Sequence, residues 1–316
     1  MVDAPDSGVI KEDSVVSVWK VIAVAGALAT GTGLVHAADL LPPAIAPAPA
    51  PSLDASGWYL RGDVGLVTQA NDIAISVSPN PLAGLPADAF HSFYNPTISA
   101  AGLFDIGAGY QVNNWLRFDV TGEYRGGSQF QVLEQIGIPS LSSQYANWYR
   151  ADTSSFIAMA NAYVDLGTWY GVTPFVGGGV GFAQNHFTGI ANSSFAYVGT
   201  GPGQTPPGSP GGGHMGDGVS NNFAWALMAG LDFNVTQNLK LELGYRYLSY
   251  GTLKTGPAAC FNGTGANGGF DTAHCGGAAF VGQTNRLASN DVRLGLRWLI
   301  NDMPTYAPSG PTFARY

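Results

Sequence analysis

Residues 292–298 read Val-Arg-Leu-Gly-Leu-Arg-Trp, and the alternation in this stretch decides the fold. In a β-strand successive side chains point to opposite faces, so Val292, Leu294, Leu296 and Trp298 share one face. Arg293, Gly295 and Arg297 share the other. A soluble sheet can carry the same split with its apolar face inward. Which face is the outside depends on how often the pattern recurs and on how the segments are joined.

Seven further segments carry it. Residues 58–66 set Trp58, Leu60, Val64 and Leu66 against Arg61 and Asp63. Residues 103–112 set Phe104, Ile106 and Tyr110 against Asp105. Residues 115–124 set Leu116, Phe118, Val120 and Tyr124 against Arg117, Asp119 and Glu123. Residues 155–166 set Phe156 and Val164 against Asn161, Tyr163 and Asp165. The glycine-rich stretch 175–183 has the weakest signal. Residues 223–235 set Phe223, Trp225, Leu227 and Leu231 against Met228 and Asp232, and residues 239–247 set Leu239, Leu241, Leu243, Tyr245 and Tyr247 against Lys240, Glu242 and Arg246. Chance rarely sustains a period of two over so many segments.

The links decide the architecture. Asn113-Asn114, residues 167–174 and residues 236–238 are short; residues 67–101, 125–152, 185–221 and 249–289 are long. Strict alternation of short and long links places every long loop at one end. That arrangement, with strands of about 9–11 residues and an even strand number, belongs to barrels that cross the outer membrane. The fold expected is therefore all-β: an eight-stranded antiparallel transmembrane up-and-down β-barrel over residues 57–300, with short periplasmic turns and long extracellular loops. Interfacial aromatics agree. Trp58, Trp115, Trp169, Tyr170 and Trp298 fall at the periplasmic strand ends, and Tyr245 and Tyr247 nearer the opposite rim.

The flanking segments fit export. Lys20 precedes an apolar run to Val35, and Val35-His36-Ala37 suits a signal-peptidase site, so residues 1–37 read as a signal peptide. Its leader carries Asp3, Asp6, Glu12 and Asp13, an acidic start that an internal translation start near residues 15–18 would explain. Residues 38–56, rich in Pro and Ala, read as a periplasmic linker, and residues 301–316 as a periplasmic tail. The net charge of −8 and the lack of a basic stripe exclude nucleic acid as a main partner. Cys260 and Cys275, an even pair in an exported chain, are expected to form a disulfide.

With the apolar faces in lipid, the polar faces turn inward. Arg61, Asp63, Asp105, Arg117, Asp119, Glu123, Asp165, Asp232, Lys240, Glu242, Arg246, Arg293 and Arg297 are then expected to form an interior ionic network. An eight-stranded barrel is just wide enough for side chains to fill, and buried charges must be paired. A packed ionic core is the first expectation; a narrow porin-like channel lined by charge is the alternative.

The chain resembles the small outer-membrane β-barrel proteins of Gram-negative bacteria, the opacity-type porin family and its outer-membrane immunogenic protein group. The residues that carry this are Ala37-Ala38-Asp39-Leu40-Leu41-Pro42-Pro43, Gly57-Trp58-Tyr59-Leu60-Arg61-Gly62-Asp63, Asn161-Ala162-Tyr163-Val164-Asp165-Leu166 and Leu243-Gly244-Tyr245-Arg246-Tyr247. The resemblance implies outer-membrane localisation, contact with membrane lipids and lipopolysaccharide, insertion by the barrel-assembly machinery, and a structural or surface-antigen role in which the extracellular loops meet host or surface ligands. Family members usually end on an aromatic residue of the last strand, whereas here Trp298 is followed by residues 299–316.

Catalytic, cofactor and metal sites are not expected. The mature histidines His91, His186, His214 and His274 all fall in the long links without ligand spacing, which leaves surface haem or metal binding as a lesser alternative. A lipid-modifying enzyme is another. Only His186, near the end of the fifth strand, is placed for that chemistry, and no paired nucleophile accompanies it.

Overall fold

A computed structural model of the chain describes residues 56–197, 209–261, 270–271 and 280–300. Eight antiparallel strands close into a ring: β1 (Gly57–Gln69), β2 (Ala101–Gln111), β3 (Leu116–Ile138), β4 (Ser143–Asp165), β5 (Val172–Tyr197), β6 (Gly218–Asn234), β7 (Leu239–Gly251) and β8 (Leu287–Ile300). Each pairs with its neighbours in sequence, and β8 returns to β1 to complete the circle. Full closure leaves no sheet edge inside the hydrocarbon layer, where an unpaired backbone group would be costly. Among the described residues the only helical element is the single 3₁₀ turn Pro139–Leu141.

The opening stretch shows which way the barrel faces. Val292, Leu294, Leu296 and Trp298 are each about half exposed, whereas Arg293 and Arg297 are 5% and 1% exposed. A protein with its charged side chains buried and its leucines outside is built for lipid, and the same inversion runs around the ring: Leu60, Val64, Phe104, Ile106, Val120, Phe156, Val180, Phe223 and Leu243 all face out.

The periplasmic turns are tight, as their lengths predict. The Asn113 side-chain oxygen accepts the backbone N–H groups of Trp115 and Leu116, and Thr236 Oγ1 does the same for Asn238 and Leu239. Of the interfacial aromatics, Trp58, Trp115, Trp169, Tyr170, Tyr245 and Trp298 are exposed, while Tyr247 is half-buried against Trp225.

Two expectations need correction at the extracellular end. Residues 125–152 are not a loop. They continue β3 and β4 to 23 residues each and meet at the 3₁₀ turn, roughly a dozen residues beyond what a membrane crossing requires. Strand β5 likewise runs on to Tyr197, 26 residues in all. A β-bulge breaks the alternation where the extension begins: the β3–β4 register shifts between Arg125 and Ser128, with Gly127 at φ +79°. Below the bulge odd-numbered residues of β3 point inward; above it Phe130, Val132 and Glu134 do, so the alternation restarts out of step.

Nor do three of the four mature histidines sit in loops. His91 lies in the strand Phe90–Ile98, which pairs with the upper part of β3; His186 lies in β5; and His214 lies in the strand Ser209–Met215, which pairs with upper β5. A short strand, Ile75–Ser78, pairs with Val281–Thr284, tying the first long link to the last. The expected signal peptide (residues 1–37), the expected linker up to residue 55, residues 301–316, His274, Cys275 and the Cys260 side chain lie outside the described residues.

Candidate functional site

The barrel interior is filled by charged side chains joined in two groups. Strands β1, β2, β3, β4, β6, β7 and β8 supply the larger one. Arg61 reaches Asp63 at 3.0 Å and Asp119 and Glu242 at 2.9 Å each. Arg117 reaches Asp165 at 3.1 Å and Glu242 at 3.3 Å, so Glu242 is shared by two guanidinium groups. Arg293 holds Asp63 at 2.9 Å and Asp105 at 2.8 Å, and Arg297 pairs with Asp232. Aromatic rings complete the packing. The Arg117 guanidinium lies 4.1 Å from the Tyr163 ring centre and 4.7 Å from that of Phe175, and the Tyr59 hydroxyl donates to Asp119.

The second group lies nearer the extracellular side and closes on itself. Arg125 and Arg246 each bond both Glu123 and Asp291, giving a four-membered ring of alternating charge. Arg125 also donates to Ser289 Oγ at 2.7 Å.

Twelve of the thirteen interior residues read from the sequence are therefore brought together. Lys240 is the exception: it is only partly buried and takes part in none of these ion pairs. Missed were Arg125, Asp291 and the inward ring of Tyr59. Parity would have found all three. Arg125 continues the odd-numbered row of Arg117, Asp119 and Glu123 by one step, Asp291 precedes Arg293 by two, and Tyr59 precedes Arg61 by two.

Glycine makes room where charges cross between strands. Asp63 and Glu242 stand directly opposite Gly295 on either side of β8. A Cβ at Gly295 would collide with the Asp63 carboxylate, which explains the glycine between the two arginines of the opening stretch.

Above the bulge the interior changes character. Phe130, Val132, Phe187, Ile190 and Leu253 are buried, and the charged residue among them is Glu134. Its carboxylate accepts from His91 Nε2 at 2.7 Å, Asn147 Nδ2 at 2.7 Å and the Tyr149 hydroxyl at 2.9 Å. Burial works to raise the Glu134 pKa, but these three donors outweigh it and leave the group below its ordinary value. An ionised carboxylate only accepts, so His91 carries its proton on Nε2. Burial first, and the neighbouring Glu134 charge second, push the Tyr149 hydroxyl well above its ordinary pKa. Among the described residues no cluster of His, Cys, Asp and Glu could hold a metal ion.

A family profile described as "Outer membrane protein beta-barrel domain" matches residues 37–274. The chain belongs to this family. This barrel is also 30% identical over 235 residues to uncharacterized proteins of Brucella abortus (strain 2308) and Brucella suis biovar 1, covering 70% of this chain and 78% of theirs. Among solved structures it is similar to Neisserial surface protein A, at 16% identity and a TM-score of 0.40 over 77% of this chain and 97% of that one. It is also similar to outer membrane protein OprG from Pseudomonas aeruginosa, at 10% identity and a TM-score of 0.39 over 78% and 97%. The protein is an outer-membrane β-barrel and resides in the bacterial outer membrane.

Proposed function

We propose that this barrel is a sealed outer-membrane scaffold whose extracellular extension is its working surface, with a structural and surface-interaction role rather than a catalytic one. One observation carries the reading. The side chains of Arg61, Arg117, Arg297, Asp119 and Asp232 are at most 2% exposed. Residues lining an aqueous pore would be wet, and a channel for solutes needs a wider barrel than eight strands provide.

The interior charges act here as paired structural counter-ions. Rigid strands carried about a dozen residues past the membrane then give the long links a fixed platform, which is how recognition surfaces are commonly built. A bond between Cys260 and Cys275 would restrain the last of those links. Liposome swelling tests the reading. Vesicles containing the refolded protein should swell in an arabinose gradient no faster than protein-free vesicles, and a rate that rises with the amount of protein would refute a sealed barrel.

A further inference from the structure

The extracellular extension forms a partly open cavity of about 400 Å³ between the prolonged β3–β4–β5 sheet and segments of the first and last long links. Its walls are mostly apolar: Ile75, Phe93, Val132, Ile136, Phe187 and Leu253 come from five different parts of the chain. Pockets for small molecules run from about 300 to 1,000 Å³, mostly apolar with a few placed polar groups. Val132 and Phe187 line this one yet are only 3% and 4% exposed. A broad protein surface would not reach them; a narrow chain or ring would.

The polar side of the cavity is selective in sign. Glu134 is the one charged side chain in the described lining, and its oxygens already accept from His91, Asn147 and Tyr149. A carboxylate offers about four acceptor positions, so one remains for a ligand hydroxyl. A second anion placed there would meet a fixed negative charge in apolar surroundings and be repelled.

We propose that this cavity binds a neutral, elongated apolar small molecule, a hydrocarbon chain or ring bearing at most one hydroxyl, and rejects the matching carboxylate. This rests on the extension being the working surface. A conducting lumen would leave it intact, and failure of ligand binding would leave a sealed barrel intact. Two sources share the ligand chemistry: a free solute, and an acyl chain of the surrounding lipid.

Isoleucine methyl NMR of the full chain in phosphatidylcholine nanodiscs separates the outcomes, because Ile75, Ile136, Ile138 and Ile190 line the cavity while Ile106 and Ile300 face lipid. Titration with 1-dodecanol should give saturable shifts at the four cavity methyls and only gradual, non-saturating drift at the lipid-facing pair. Dodecanoate at pH 8 should bind about tenfold more weakly, as like charges brought together would dictate. Glu134→Gln should remove that difference. Contacts from lipid acyl protons to the Ile136 methyl before titration, displaced by dodecanol, would identify a lipid chain as the resident occupant. Absence of saturable shifts at the cavity methyls of the unsubstituted protein, or equal binding of alcohol and acid, would overturn the proposal whatever the variant does.

Discussion

Arg117 is fully buried, paired with Asp165 and Glu242, and stacked on Tyr163 and Phe175. Removing one member of such a set leaves its partners charged and dry, so Arg117→Leu or Glu242→Leu should each destabilise the barrel by about 3–5 kcal/mol. Guanidinium unfolding from detergent measures this, and unchanged midpoints for both variants would mean the interior charges are not a packed core. Glu134 makes a separate prediction above the membrane. Its folded pKa lies below the ordinary 4.5, so its contribution is fully present above that value and lost as pH falls through the folded pKa. Amides of Phe90–Ile98, which pair with β3 beside Glu134, should therefore exchange faster at pH 3 than at pH 6 once intrinsic rates are corrected, with β8 as internal reference. Equal protection at both pH values would contradict the assigned role. At this scale most of the interior was legible, because charge at a fixed parity on an amphipathic strand has one place to go. Arg125 and Asp291 escaped only because the expected strands stopped one residue short of each.

Strand existence and order were legible in the same way, through period-two alternation and through the unequal links. The extension of β3, β4 and β5 was not. A bulge inserts residues that shift the alternation out of step, so Phe130, Val132 and Glu134 read as a new, unconnected pattern after Gly126-Gly127. The Gln- and Ser-containing outward positions there also lack the apolar signature of a lipid-facing strand. Gly127 is the pivot, since φ +79° is a conformation that a β-branched residue resists. Gly127→Val should cost about 1–2 kcal/mol, confined to the extension. Limited proteolysis should cut residues 128–152 faster in the variant while the membrane section stays protected. Identical digestion patterns would show that the bulge does not hold the extension in place.

As a whole the molecule reverses the usual partition of polar and apolar side chains. Lipid receives the leucines, valines and aromatic rims, and two ion-paired groups fill the interior that water would otherwise occupy. The stretch at 292–298 holds that logic in seven residues: four side chains for the membrane, two arginines for the core, and one glycine that lets Asp63 reach between them. Family membership and outer-membrane residence rest on the match of residues 37–274 to the outer-membrane barrel family, whereas the closed lumen is our proposal from how the interior charges pack. Planar-bilayer recording of the refolded full-length protein tests that closure most directly. A sealed barrel gives a current indistinguishable from that of the protein-free bilayer at moderate voltage; stable, reproducible unitary conductance steps would contradict it.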